Sequence, residues 1–177
     1  MAEKSVNEIS RDARVLYTRA NEALERENLD YAIALFYQVL EKEPAFFECR
    51  KVLRASQFTK AGAGGRGSLK TTSSAVPWPA LVGTGQIALH TNPANALALA
   101  EQILNTDPNS SAAHKLIVEA GKNLELPRTV ALSYGTLGKK WPKDRDWAIE
   151  VAHAVSESGE GSRGEKILVD LLRETPA

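Results

Sequence analysis

The sequence predicts an all-α protein of about nine helices arranged in pairs, and three observations support this fold class. Pro44, Pro108, Pro142 and Pro176 each follow a helix-like apolar pattern, and the last three are spaced 34 residues apart. Apolar residues before these prolines recur at steps of three and four, as they do along one face of a helix. No segment shows the sustained apolar–polar alternation of a half-buried strand. A fixed period of this length indicates a helical repeat protein.

The first repeat unit shows the plan. Its first helix is predicted in "RDARVLYTRANEALEREN", which is rich in helix-forming residues, and its second in "LDYAIALFYQVLEKEP". The second helix carries one apolar stripe, formed by Ala32, Ile33, Phe36, Val39 and Leu40. Asp30 is predicted as its N-cap, and Pro44 prevents the helix from continuing. The third predicted helix, "AFFECRKVLRASQFTK", packs on this pair.

Three later units repeat this plan. "NPANALALAEQILNTDP" is predicted to open with an Asn92 cap and with Pro93 at the first helical position. "LPRTVALSYGTLGKKWP" and "GSRGEKILVDLLRETP" supply the corresponding helices of the next two units. The predicted organisation is therefore an N-terminal extension over 1–11, a first unit with its packing helix over 12–60, a flexible loop over 61–76, and three further helix pairs over 77–177.

These units resemble the tetratricopeptide repeat (TPR) family, whose unit is a pair of helices of this length. The resemblance lies in the second helix of each unit, where a small residue, a larger apolar residue four positions later and a closing proline recur. The small positions are Ala32, Ala96, Val130 and Gly164. The resemblance covers residues 12–44 and 77–176, and it implies a right-handed α-solenoid of antiparallel helix pairs with a concave groove. The alternative is an ordinary helical bundle whose proline spacing is accidental.

The stretch "KAGAGGRGSLKTTSSAVPWP" contains Gly62, Gly64 and Gly67 at the spacing of a dinucleotide-binding loop. Such a loop must follow a buried strand and open a helix, whereas this stretch follows a predicted helix. Lys70 also comes too late after Gly67 for a Walker loop. We therefore expect a mobile basic joint that binds no nucleotide, and a nucleotide- or phosphate-binding regulator using residues 60–71 remains the alternative.

Composition and motifs do not point to an enzyme. The 22 basic and 22 acidic residues balance, so no overall attraction to nucleic acid is expected. Cys49 is the only cysteine, and His90, His114 and His153 form no paired metal motif, so neither a metal nor a cofactor is expected. The charged opening and the short, broken apolar stretches predict a cytoplasmic protein without membrane insertion.

The resemblance implies that the first helices of the units line a groove that binds another protein or peptide segment. The implied groove residues are Arg14, Tyr17, Asn21, Glu25, Leu81, Leu89, Lys115, Glu119, Lys122, Ile149 and His153. The apolar middle of this groove would include Leu81, Ala88 and Leu89, and Tyr17 and Lys115 would lie on its open face. For any single residue, a solvated helix face is the alternative interpretation. The function expected is that of a non-catalytic interaction scaffold.

A further alternative is a structural subunit that docks through its terminal face. In "EKILVDLLRETP", Val169 and part of Leu172 are expected to stay exposed, while Ile167, Leu168 and Leu171 pack inward. A narrow apolar strip favours weak self-association over an obligate dimer. The chain is therefore expected to be mostly monomeric.

Overall fold

In a computed structural model of the protein, which describes residues 2–63, 78–137 and 145–174, every regular element is an α-helix. The only β-type pairing within these ranges is an isolated parallel bridge between Lys4 and Phe46. The all-α prediction is confirmed. Nine helices lie in the described part of the chain: α1 Arg11–Glu25, α2 Leu29–Lys42, α3 Phe47–Ala63, α4 Trp78–Thr91, α5 Pro93–Thr106, α6 Ser111–Asn123, α7 Pro127–Leu137, α8 Arg145–Glu157 and α9 Gly161–Glu174.

Two predicted boundaries are wrong in detail. Asn28, and not Asp30, caps α2, because its side-chain oxygen accepts a hydrogen bond from Tyr31 N at 3.4 Å. Asp30 instead lies in the first turn, where a negative charge is favourable. Helix α3 continues to Ala63, so residues 61–63 are helical and not part of the predicted loop. The rest of that loop, residues 64–76, lies outside the described residues. The Asn92 cap with Pro93 in the first turn is confirmed.

The same turn ends α1, α6 and α8. Glu27, Glu125 and Gly159 adopt positive φ angles of 59°, 57° and 93° just after these helices. The following residue in each case donates its N–H to a carbonyl five positions back, as in the bond from Leu126 N to Gly121 O at 2.8 Å. These are Schellman turns, which satisfy the last free carbonyls of a helix. Residues 125 and 159 are 34 positions apart, so the period seen in the prolines recurs in the backbone.

Within α1–α3 and within α4–α9 each helix packs on its neighbours in the chain, and α4 also packs on α6. The two sets meet where α3 contacts α5 and α7 and where α2 contacts α5, while α3 and α4 themselves hardly touch. The four small positions of the second helices, Ala32, Ala96, Val130 and Gly164, are all buried. At Gly164 the contact between α9 and α8 is closest, since an added Cβ would lie 2.1 Å from Ser156 Oγ and 2.7 Å from Ala152 O. These small residues therefore set how closely the helices approach each other.

The segment that precedes α1 is bound to the helices, although it was predicted only as an extension. The Glu3 carboxylate accepts hydrogen bonds from Arg128 N at 3.1 Å, from Thr129 N at 2.7 Å and from Thr129 Oγ1 at 3.0 Å. Leu126, the residue before α7, has no side-chain acceptor of its own. Glu3 therefore supplies from a distance the cap that the local sequence of α7 lacks.

The same segment is fixed to the loop between α2 and α3. Lys4 N donates to Ala45 O at 2.9 Å, and its ammonium group lies 2.6 Å from Glu43 Oε2. The other oxygen of Glu43 accepts from Ser10 N at 2.9 Å, just before α1. These hydrogen bonds hold the pKa of Glu43 below its usual value, with the bond from Lys4 as the main cause. We refer to residues 2–10 as the N-terminal segment.

A buried polar cluster joins α3 to α5. Glu101 Oε1 accepts hydrogen bonds from Arg50 Nη1 and from Arg54 Nη2, both at 3.0 Å, and all three side chains are nearly inaccessible to solvent. Gln57 accepts from Arg54 Nη1 at 3.0 Å, while the Tyr37 hydroxyl donates to Glu101 O at 2.6 Å. Burial lowers the pKa of the Arg54 guanidinium, and the charge of Glu101 opposes that shift. Sequence analysis did not anticipate this cluster, because its ionic partners are 47 and 51 positions apart.

Candidate functional site

The groove residues predicted in the first unit are only partly available. Arg14 and Glu25 are exposed, but Tyr17 is half-buried and packs its ring 4.8 Å from that of Phe46 and 6.0 Å from that of Phe36. Burial raises the pKa of the Tyr17 hydroxyl. The Tyr17 ring packs against the core of α1–α3, and it also lines a shallow trough with Val52 and Ser56 of α3. Asn21 is half-buried and donates its side-chain amide to Tyr17 O at 3.0 Å.

The predicted apolar middle of the groove is mostly core. Leu89 is only 7% exposed and Ala88 only 5%, and both belong to the cluster formed by α4, α5 and α6. Leu81 is half-buried against the same cluster. These residues are buried because α4 packs closely on α6. An added Cβ at Gly85 would lie 2.3 Å from Leu116 Cδ2. The prediction that Ala88 and Leu89 line an open groove is wrong because the apolar residues of α4 pack against both α5 and α6.

The remaining predicted residues come together in two places. Lys115 and Glu119 are exposed and line a trough of about 330 Å³ with Val82 and Gln86 of α4. Lys122, Ile149 and His153 line a larger cleft of about 870 Å³ between α6, the start of α7 and α8. We call the latter the α6–α8 cleft. It unites three of the predicted groove residues from two successive first helices.

The α6–α8 cleft has a buried floor and an exposed rim. Its floor is made by Gly121, Leu126, Val130 and Ala154, which are all buried, with Pro127 half-buried beside them. Its rim consists of exposed residues, namely Lys122, Glu125, Ile149, Glu150, His153 and Glu157. Ile149 keeps 44% of its surface exposed beside this apolar floor. The cleft is therefore an open trough and not an enclosed cavity.

A polar triad spans the cleft from α6 to α8. Lys122 and Tyr134 both hydrogen-bond to Glu150 Oε2, and the Lys122 ammonium also lies 5.7 Å from the centre of the Tyr134 ring. Hydrogen bonds from Lys122 and then Tyr134 lower the pKa of Glu150. Burial, and then the bond to Glu150, raise the pKa of Tyr134 to about 12. Partial burial alone would lower the pKa of Lys122, but its bonds to Glu150 and Tyr134 raise it overall.

Lys122 was among the predicted groove residues, whereas Glu150 and Tyr134 were not. The Tyr134 ring is buried, at 4% exposure, while its hydroxyl reaches Glu150 on the rim of the cleft. Glu150 lies 28 positions from Lys122, so no local spacing links them. The only signal in the sequence was that Glu150 directly follows the predicted groove residue Ile149.

Two other potentially reactive side chains, those of His114 and Cys49, are buried. His114 is fully buried and donates from Nε2 to Pro108 O at 2.9 Å, and burial lowers its pKa to about 4, so it stays neutral near pH 7. The Cys49 thiol is buried, which raises its pKa. In the described part of the chain no group of three or more potential ligands could hold a metal ion. Across the same residues, no helix has the length and apolarity needed to cross a bilayer.

Comparison with known proteins gives no relative from which a function could be inferred. No family model, no curated protein and no solved structure matches the chain.

Proposed function

We propose that the chain is a TPR-like right-handed solenoid of helix pairs that acts as a non-catalytic protein-interaction scaffold, with a cytoplasmic location as part of the proposal. Three features support the solenoid: the packing of chain neighbours within α1–α3 and within α4–α9, buried small residues at four equivalent positions, and Schellman turns 34 positions apart. A helix pair buries its apolar face only by stacking on the next pair, which favours such an array.

The α6–α8 cleft is the proposed binding surface, and the observation that carries this proposal is its combination of apolar floor and exposed Ile149. An apolar trough with a polar rim is the usual form of a groove that receives a peptide segment or helix. The charged residues of the rim would fix the orientation of that segment, while the floor would receive an apolar side chain. Chemistry on the segment is not part of the proposal, since the rim side chains pair with one another.

Substitution of the exposed isoleucine tests this function. A bait carrying Ile149→Asp should lose the partners that the wild-type chain captures from extracts of the native cell, because a carboxylate at the rim opposes burial of an apolar side chain. Hydrogen exchange of the wild-type complex should show protection in α6 and α8. Both readouts are needed, since capture alone does not locate the contact.

Ile87→Asp is the matched control. Ile87 lies on α4, is 71% exposed and does not line the cleft, so this change should leave capture and protection intact. Equal loss of capture by the two variants would show that the contact is elsewhere or is unspecific. Retention of capture by Ile149→Asp would contradict the proposed cleft directly.

A second candidate role, docking through the terminal helix, is favoured by the outer face of α9. Leu168, Val169 and Leu172 are 40%, 38% and 64% exposed, so the inward packing expected for Leu168 is only partial. Such a strip favours weak self-association or docking to a larger assembly. Light scattering across a concentration series should show mass growth at high concentration that Val169→Glu suppresses, and a mass that never changes would contradict this role.

A further inference from the structure

The protein contains two sets of helices whose apolar cores are separate. The buried apolar residues of α1–α3 form one cluster, which Ile9 of the N-terminal segment completes. Those of α4–α9 form two clusters, one on α4–α6 with Leu126 and one between α6, α7 and α8. Among the described residues, only Ala45, in the loop between α2 and α3, belongs to the first set and is buried in a cluster of the second. We call the surface where the two sets meet the seam.

Polar groups of α3 and α5 hold the centre of the seam. The Glu101 carboxylate of α5 accepts hydrogen bonds from Arg50 and Arg54 of α3. The backbone oxygen of Glu101 accepts a further bond from Gln57 Nε2 at 3.2 Å. The contact between these two helices is therefore ionic and hydrogen-bonded, in contrast to the apolar core of each set.

Helix α7 and the N-terminal segment hold one side of the seam. The Arg128 guanidinium group lies 3.4 Å from Glu48 Oε1 and 4.0 Å from the centre of the Phe47 ring, and both partners belong to α3. The bonds from Arg128 N and Thr129 N to Glu3 attach the N-terminal segment to the same end of α7. Since this segment also binds the loop between α2 and α3, it is a strap across the seam.

The seam is neither fully packed nor fully hydrogen-bonded. Between α2 and α5 it contains a cavity of about 300 Å³, which is lined by Leu40 on one side and by Leu97 on the other. Four of the seven buried side-chain polar atoms that lack a partner in the described part of the chain belong to seam residues, namely Glu48 Oε2, Arg50 Nε, Arg54 Nε and Glu101 Oε2. A buried polar atom without a partner costs free energy, which hydration restores.

We propose that the protein opens at the seam while both helix sets stay folded, and that the N-terminal segment is the strap that limits this opening. Opening returns the ions and the unpartnered atoms of the seam to water, which offsets the hydrogen bonds that are lost. Most of the apolar area stays buried within the two sets, so opening costs less free energy than global unfolding. Polar contact surfaces of this kind are typical between parts of a chain that move relative to each other.

The thiol that Ala45→Cys introduces reports this opening. Position 45 is 2% exposed and is covered by the second set, whereas the natural thiol of Cys49 is buried in the core of the first set. In native buffer, an alkylating reagent should modify the introduced thiol at least about tenfold faster than Cys49 of the same molecule, as measured by fragment mass spectrometry. Its rate should depend only weakly on urea, because opening exposes little surface, while the rate at Cys49 should depend on urea steeply.

Two further variants locate the reaction. Leu97→Cys, on the α5 side of the seam, should react faster than Cys49, as Ala45→Cys does. Ala120→Cys is the matched control, because position 120 is fully buried inside the second set. Its thiol should react at least about tenfold more slowly than the thiol at position 45.

Glu3→Ala tests the strap. Added to Ala45→Cys, it should raise the reaction rate of the introduced thiol about fivefold, because opening breaks the bonds from Glu3 to α7. Glu8→Ala is the control and should leave this rate unchanged, since Glu8 bonds only within the N-terminal segment. An unchanged rate after Glu3→Ala would overturn the role of the strap.

Equal rates and equal urea dependences for the introduced thiol and for Cys49 would overturn the opening itself, because the seam would then part only when the whole molecule unfolds. A thiol at position 120 that reacts as fast as the one at position 45 would overturn it as well, since the reaction would not be specific to the seam. None of these measurements involves the α6–α8 cleft, so a failure here leaves the proposed scaffold function untouched.

Discussion

The carboxylate of Glu101 lies between two guanidinium groups in the interior of the molecule, and all three side chains are almost fully buried. Two buried positive charges next to one negative charge are tolerated only because every close contact is a charge-assisted hydrogen bond. Glu101 Oε2 has no hydrogen-bond partner among the described residues, so the cluster is not fully satisfied. The contribution of the cluster therefore depends on the hydrogen bonds that Glu101 Oε1 accepts from the two arginines.

Glu101→Gln should therefore lower the free energy of unfolding by about 3–5 kcal/mol, because it leaves both arginines without a counter-charge. Urea denaturation provides the measurement. The matched control, Glu25→Gln on the exposed surface of α1, should change stability by less than about 0.5 kcal/mol. A small effect of Glu101→Gln would show that water reaches the cluster.

Substitutions of Tyr17 and Lys115 by alanine are expected to differ in their effect on the stability of the protein. Tyr17→Ala removes a ring that packs on Phe36 and Phe46, so it should cost about 2 kcal/mol, less than the ~3–5 kcal/mol expected for the fully buried Phe36→Ala. Lys115→Ala should stay within about 0.5 kcal/mol of wild type, since its side chain is exposed. Thermal unfolding of the three variants checks the order, and equal values for Tyr17→Ala and Lys115→Ala would contradict the packing described for α1.

Among the helices, glycine has two opposite roles. Gly164 lies where α9 contacts α8, and a Cβ there would meet the Ala152 carbonyl as well as Ser156. Gly135 lies in α7 with nothing within 4 Å of the added atom. The same chemical change should therefore have opposite signs at the two positions.

Gly164→Ala should destabilise the protein by about 1–3 kcal/mol, because the backbone carbonyl of Ala152 cannot move aside as a side chain could. Gly135→Ala should stabilise it by up to about 1 kcal/mol through helix propensity. Denaturation curves of the two variants compare them directly. If Gly164→Ala also stabilised the chain, α9 would not pack on α8 as described.

The helices could be predicted from the sequence because their determinants are local. The apolar stripe of α2, the Asn92 cap and the small residue at Gly164 are each visible within a few positions. The N-cap of α2 and the burial of Leu89 were predicted wrongly because neither is decided by the local sequence. Asn28 and Asp30 are both capping residues, and only the backbone geometry decides between them. Burial of Leu89 depends on which helices surround α4, and the sequence does not specify that.

The candidate site could be predicted only in part. Lys122, Ile149 and His153 follow from the repeat register, so their presence on one surface could be expected. The pairing of Lys122 with Glu150 depends on the spacing between α6 and α8, which no short motif encodes. Long-range polar contacts of this kind are set by tertiary packing, and they decide the charge of the cleft.

At the scale of the whole molecule, the N-terminal segment connects the first helices to α7. Glu3→Ala should remove the acceptor for the first amides of α7 and cost about 1 kcal/mol, as the loss of an N-cap does. Hydrogen exchange should then accelerate at Arg128 and Thr129. Glu8→Ala is the control, because Glu8 bonds only within the segment, to Ser5. Unchanged exchange at Thr129 after Glu3→Ala would contradict the contact.

The hydrogen bonds that Glu43 accepts from the N-terminal segment make the stability of the protein depend on pH. The pKa of Glu43 is lower in the folded chain than in the unfolded chain, so its contribution is present above the ordinary carboxyl pKa of about 4.3 and is lost as the pH falls through the folded value. Glu43→Gln should therefore flatten the stability profile on the acid side of that value while lowering stability at neutral pH. Parallel profiles for wild type and variant would show that Glu43 is not linked in this way.

The bond from Glu3 to α7 also determines when folding can be completed. Its two ends are 125 positions apart, whereas the Schellman turns close loops of a few residues. During synthesis the N-terminal segment leaves the ribosome before α7, so the Glu3 carboxylate has no partner in α7 until the 125 positions that separate them have followed. Contacts of such long separation close late, because the entropy of the intervening loop must be lost first. The helix pairs can therefore form one after another, while the first turn of α7 lacks its cap until the N-terminal segment binds to it.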